Sequence, residues 1–224
     1  MRFLTKIPPG GTNPIFARVA PFAIFVLLTS CQGELGKTSA YWFYLAKTIV
    51  GAWLIFEIRP FVSEMRWAVS WEAIIVGIVI FVIWVKLDGH YPQYIHSGST
   101  GNPTDAFGPN SALPWFFNAV HITGMTLVVP PIEEVFYRSF FYRYIASPNF
   151  LAVPLNRFLP LPFCATALVF GLVHPEWLPG ILCGAAYQWL VLRKNRLGDA
   201  MTAHAITNLL LGIYIVHYGA WWFW

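Results

Sequence analysis

The sequence predicts an all-α fold, a polytopic transmembrane helix bundle of about seven to eight spans, and three observations predict it. Hydrophobic residues make up 57% of the 224-residue chain and charged residues only 11%, against about 25% charged in soluble domains. Mean hydropathy is +0.58. The apolar residues also gather into stretches close to the ~20 residues that cross a hydrocarbon core.

The stretches run over 14–31, 40–58, 71–87, 112–130, 161–174, 178–192 and 200–217. The first follows a Pro8-Pro9-Gly10-Gly11 turn and ends in Leu28-Thr29-Ser30-Cys31, which looks like a lipoprotein cleavage site. Its long leading segment and the many spans behind it favour a plain first helix. The second carries Lys47 and Glu57 near its ends, where they are expected to snorkel or pair. After the third comes the one long loop, 88–111, rich in Gly, Pro, Ser, Asn and His, and expected as an external or re-entrant lid of low regular structure. Its His90 and His96 read as solvated, since no Cys, Asp or Glu cluster completes a metal set.

The fourth stretch opens a helical region over 112–146 that Pro130-Pro131 should break or kink. The fifth is short for a crossing, and Pro175 and Pro179 follow it closely, which predicts a turn within the membrane that lines a wet cavity. The sixth holds Gly180-xxx-Gly184 with Ala185 and Ala186, a small-residue face for close helix packing. The seventh completes the bundle and leads to the uncharged tail Gly219-Ala220-Trp221-Trp222-Phe223-Trp224, whose tryptophans suit a membrane interface.

The net charge of +4 reports topology. With the N-terminus cytoplasmic, Arg2, Lys6, Arg18, Arg59, Arg66, Arg138, Arg143, Arg157, Arg193, Lys194 and Arg196 fall on the inner side. Only Lys37 and Lys86 then lie outside, with Lys47 inside a span. No basic block with interleaved aromatics points to nucleic acid. Cys31, Cys164 and Cys183 form no pairwise pattern, so they read as packing residues rather than disulfides or metal ligands.

Against this background Pro130-Pro131-Ile132-Glu133-Glu134-Val135-Phe136-Tyr137-Arg138 stands out, because ionisable groups in hydrocarbon cost several kcal/mol each. Glu134 and Arg138 are four apart and can pair on one helix face, with Glu133 about a quarter-turn away. Phe170 and His174 repeat the interval, and so do His204 and Asn208. Taken singly, each pair has a structural explanation: an ion-pair staple, a backbone-bonded histidine, or interhelical glue worth about a kcal/mol. Together they offer polar groups from three helices that a bundle interior can bring together.

The set Glu133-Glu134-xxx-Arg138, Phe170-xxx-His174 and His204-xxx-Asn208, in this order, resembles the motifs of the CAAX prenyl protease and bacteriocin-processing (Abi) family of intramembrane proteases, the type II CAAX endopeptidases. The likeness covers roughly residues 120–217. It implies a single integral membrane domain over 1–224, with divergent N-terminal helices in 1–111 and catalytic helices in 112–217. It also implies a glutamate-dependent endopeptidase of a bacterial-type inner or plasma membrane, working with no cofactor and no metal. Its substrate would be a protein or peptide, prenylated or not, cut near its C-terminus at the cytoplasmic leaflet.

By that resemblance Glu133 is the general base, His174 orients the water, and His204 with Asn208 holds the carbonyl oxygen, while Glu134, Arg138 and Phe170 support the site. Two alternatives stay open at this point. Glu133, His174 and His204 could ligate zinc, since a carboxylate with two histidines forms hydrolytic zinc sites. The polar cluster could also serve a non-enzymatic scaffold, immunity factor or transporter, although no internal repeat of the transporter kind is visible.

Overall fold

The computed structural model describes residues 13–32, 36, 38–93 and 101–224. The Pro8–Gly11 turn, the basic residues Arg2, Lys6 and Lys37, and His96 lie outside the described residues. The described chain is helical: α1 Pro14–Ser30, α2 Ser39–Ile58, α3 Trp71–Leu87, α4 Pro103–Phe107, α5 Leu113–Ala146, α6 Pro160–Leu172, α7 Trp177–Lys194 and α8 Gly198–Tyr218. Each of the seven apolar stretches coincides with one of these helices. Three helical stretches, Ser39–Phe61, Leu113–Ala146 and Gly198–Tyr218, are long and apolar enough to cross a membrane, while α1 and α6 are shorter apolar helices.

Local chemistry sets the helix ends. The Asn13 side chain accepts from the Ile15 amide ahead of Pro14, and the Ser70 hydroxyl accepts from the Ala73 amide, each satisfying a donor that the first turn leaves open. Asn195 and Gly219 adopt the left-handed conformation that stops α7 and α8, as C-terminal caps commonly do. Large apolar side chains such as Trp53, Ile75, Val79 and Leu168 point outward. A bilayer covers such faces, and water would not.

α8 is the centre of the bundle. It packs against α3, α5 and α7 and is buried continuously from Gly198 to Ala205. α6 and α7 form a tight hairpin in which a Cβ on Gly180 would lie 2.9 Å from Gly171 Cα, and one on Gly184 would lie 3.0 Å from Ala167 Cα. The small-residue face read from the sequence is therefore the hairpin's own contact surface.

The expected break at Pro130-Pro131 does not occur. α5 runs on through 34 residues and absorbs the prolines with π-helical turns at Gly124–Val128 and Val135–Phe141. Proline has no N–H to return to the carbonyl four residues back. The helix widens there, with the Val129 amide bonding Gly124 O, as single π turns inside α-helices do. The 88–111 loop also holds more structure than expected, because Asn102 caps the short helix α4.

One helix-end region gathers the basic residues. Arg18 and Arg143 reach Glu64 Oε1 at 2.8 and 2.7 Å, with the Ser139 hydroxyl on the same oxygen, and Lys194 reaches Glu72 at 2.7 Å. Burial alone would raise the Glu64 carboxyl, but the Ser139 hydrogen bond and the Arg18 charge outweigh it and hold Glu64 down at about 2. The start of α1 and the end of α5 are thereby tied to the segment between α2 and α3, and the end of α7 to the start of α3. Cys183 packs in the core as expected, whereas Cys164 is exposed on α6.

Candidate active site

The three motifs converge on one buried cluster. α5 presents Glu134 and Arg138 on the same face, both fully buried, with Arg138 Nε 3.2 Å from Glu134 Oε2. The two atoms are not aligned for a hydrogen bond, so the pair is a charge contact. Arg138 also donates to Gly184 O at 3.3 Å, and its guanidinium lies 4.4 Å over the Phe170 ring. The small-residue face of α7 thus lets a backbone carbonyl reach the cation, and Phe170 supports it from α6.

From α8, His204 Nδ1 meets the other oxygen of Glu134 at 3.0 Å. A carboxylate only accepts, so Nδ1 carries the proton and Nε2 faces away. Glu133 Oε2 lies 4.0 Å from that Nε2 and has no hydrogen-bond partner among the described residues. The adjacent glutamates therefore divide as their helical offset suggested: Glu134 joins Arg138 to His204, and Glu133 faces His204 Nε2 with no hydrogen bond at Oε2.

His174 closes the α6 side. Its Nδ1 lies 2.7 Å from Phe170 O; a carbonyl only accepts, so this ring also carries its proton on Nδ1 and leaves an Nε2 lone pair. Asn208 differs from the simplest expectation, because its Nδ2 already donates to Met125 O at 2.6 Å, within the first π turn. One amide hydrogen remains for another acceptor.

His174, His204, Asn208 and Phe170 line a cavity of about 950 Å³, at the upper end of the ~300–1,000 Å³ usual for ligand pockets. Glu133 sits beside this cavity rather than in its wall. The space extends past Trp84 and His121 to Gln32 and Ala40 at the ends of α1 and α2, and to Trp224. Among the described residues, no three His, Cys, Asp or Glu side chains are grouped to hold a metal ion.

Residues 114–210 match a family model described as type II CAAX prenyl endopeptidase Rce1-like. This segment, less than half of the chain, is similar to that family. It takes in all seven motif residues and is the family that the motifs resemble, while residues 1–113 lie outside the match. No curated protein and no solved structure matches the chain. Together with the apolar helices, the similarity to this membrane family points to a membrane protein.

Several residues of the site escape sequence reasoning. Tyr187 stacks on His204, with ring centroids 5.2 Å apart, and its hydroxyl donates to Thr207, which bonds Gly77 O. His121 stacks between Tyr44 and Trp224 at 3.7 and 4.1 Å, so the last tryptophan folds over the cavity rather than standing in an interfacial belt. Lys47 pairs with polar groups at the end of α1, as expected. It is buried in the cavity wall, 2.9 Å from Gln32 Oε1. A charge in the middle of a span was the visible signal for Lys47; Tyr187 offers none beyond lying on the small-residue helix.

Proposed function

We propose that the protein is a glutamate-dependent intramembrane endopeptidase that hydrolyses a peptide bond near the C-terminus of a CAAX-type protein or peptide. One observation carries the reading: the hydrogen bond from His204 to Glu134 unites the α5 and α8 motifs and leaves Glu133 Oε2 without a hydrogen bond, 4.0 Å from His204 Nε2. Glu133 would take a proton from water as that water attacks the scissile carbonyl, and His174 Nε2 would accept the water's other hydrogen and fix its direction. The proton then passes to the leaving amine.

The developing oxyanion needs donors. Asn208 supplies its second amide hydrogen. His204 supplies Nε2–H only when both ring nitrogens are protonated, and in that form Glu133, Glu134, Arg138 and His204 together sum to zero charge. A neutral cluster suits a medium where each isolated charge is costly. The aromatic lining accepts apolar substrate side chains or a prenyl chain.

We place the N-terminus on the cytoplasmic side of a bacterial-type inner or plasma membrane, because the basic helix ends gather in one region. His204 lies six residues into α8 from that end, ~9 Å along its axis, which suits cleavage toward the cytoplasmic leaflet. The test is purified protein in lipid nanodiscs with farnesylated and unmodified CAAX peptides, analysed by mass spectrometry with and without chelator. Cleavage that survives chelation, in protein free of stoichiometric metal, supports water activation by Glu133. Zinc at one per chain, lost together with activity, would instead support the zinc reading.

A further inference from the structure

We propose that Lys47 anchors the free C-terminal carboxylate of the segment that the Rce1-like site removes, so that the cavity selects its substrate by the chain end; this rests on the endopeptidase reading above. Lys47 is the ninth residue of α2, ~12 Å from its start, and its side chain lines the cavity and reaches toward the ends of α1 and α2, where Thr29 and Gln32 lie. The ammonium is held in place. Nζ donates to Thr29 Oγ1 at 3.2 Å and to Gln32 Oε1 at 2.9 Å, and lies 4.4 Å over the Tyr44 ring. Both acceptors are themselves fixed, since the Thr29 hydroxyl donates to Phe25 O and the Gln32 amide to Ala40 O.

An ammonium has three N–H groups, and these bonds use two. Among the described residues no carboxylate lies within 4.0 Å of Nζ. Asp105 and Glu176, the acids in the cavity wall, make no ion pair with it, and Glu133 acts on it only through its field. A buried cation with no carboxylate in contact among the described residues can take one, and a terminal carboxylate is the anion that the proposed substrate brings.

The spacing agrees. Tyr44, beneath the ammonium, bonds His121 O, and Asn208 bonds Met125 O. His121 and Met125 are one helical turn apart on α5, ~6 Å. The ammonium and Asn208 thus line one continuous cavity and are linked through α5, so an extended chain end at ~3.3 Å per residue can run between them. Trp84 and Trp224 wall this interval and suit apolar side chains.

The experiment titrates full-length Glu133→Gln protein in phosphatidylcholine nanodiscs with a short apolar peptide bearing a free C-terminus and with its C-terminal amide, read by tryptophan fluorescence. The acid is expected to bind at least tenfold tighter than the amide. Lys47→Gln should erase that preference, and Lys47→Arg should keep it. Equal affinity for acid and amide, or a preference that survives Lys47→Gln, overturns the proposal. So does loss of acid binding in discs doped with phosphatidylglycerol, which assigns the cation to a lipid phosphate. An acid preference without hydrolysis by the unsubstituted protein supports the anchor and sinks the endopeptidase reading.

Discussion

Replacing Glu134 by Gln keeps the shape of the side chain and removes its charge, so it isolates what the buried ion pair does. In the native cluster one oxygen of Glu134 faces Arg138 at 3.2 Å and the other accepts from His204 at 3.0 Å. A glutamine has a single acceptor oxygen and must abandon one of these neighbours. If Arg138 is abandoned, a fully buried guanidinium loses its counter-charge, and breaking such a pair costs about 3–5 kcal/mol. For a chain of this size that is a fall in melting temperature of ~10 °C. Arg138→Met should cost a similar amount, because it strands the carboxylate. The double variant Glu134→Gln/Arg138→Met leaves no charge unpaired, and should be about 2–3 kcal/mol less destabilised than the sum of the single changes. Thermal unfolding in one detergent, followed by tryptophan fluorescence, measures all four corners of the cycle. Additive losses, or single variants that melt with the native protein, would refute the view that this pair holds the site together.

Other perturbations give further expectations. Glu64 is held near 2 rather than its ordinary 4.5, so its contribution is fully present above pH 4.5 and is lost as pH falls from 4.5 toward 2. Glu64→Gln should cost about 3 kcal/mol at neutral pH and flatten the acid limb of a stability-versus-pH curve; an unchanged acid limb would contradict this. Gly180→Leu puts a side chain where a Cβ already lies 2.9 Å from Gly171 Cα. It should separate α6 from α7, displace His174 relative to His204, and lower turnover at least tenfold with ~1–3 kcal/mol of destabilisation. Native turnover in that variant would show that the hairpin does not position His174. Tyr187→Phe removes the hydroxyl that bonds Thr207 while keeping the ring on His204, and should cost ~1 kcal/mol of stability with cleavage retained. Loss of cleavage without loss of stability would place Tyr187 in the chemistry.

Much of the architecture was legible because apolar runs of span length have few folded solutions in a membrane, and each run became a helix. The polar motifs were legible for a related reason: four-residue spacing fixes which groups share a face, and Glu134 with Arg138 behaved accordingly. The π turns were not. The sequence announces that Pro130 and Pro131 remove two amides, but not that the helix runs on past them in widened turns. That widening also brings Met125 O to Asn208, a partner no spacing rule names. The direction of Lys47 was hidden because α2 is apolar around most of its circumference, so no periodicity separates its lipid face from its cavity face. Trp224 was misread for a similar reason, since tail composition says interface while the fold turns the last ring onto His121.

The central claim is that Glu133 activates the water that cleaves the substrate. Its most direct test is the turnover of a CAAX peptide by the native protein and by Glu133→Gln, each confirmed to melt at the same temperature. The account expects the variant to lose about a hundredfold to ten-thousandfold in rate while still binding the peptide. A Glu133→Gln protein that cleaves at the native rate would contradict it.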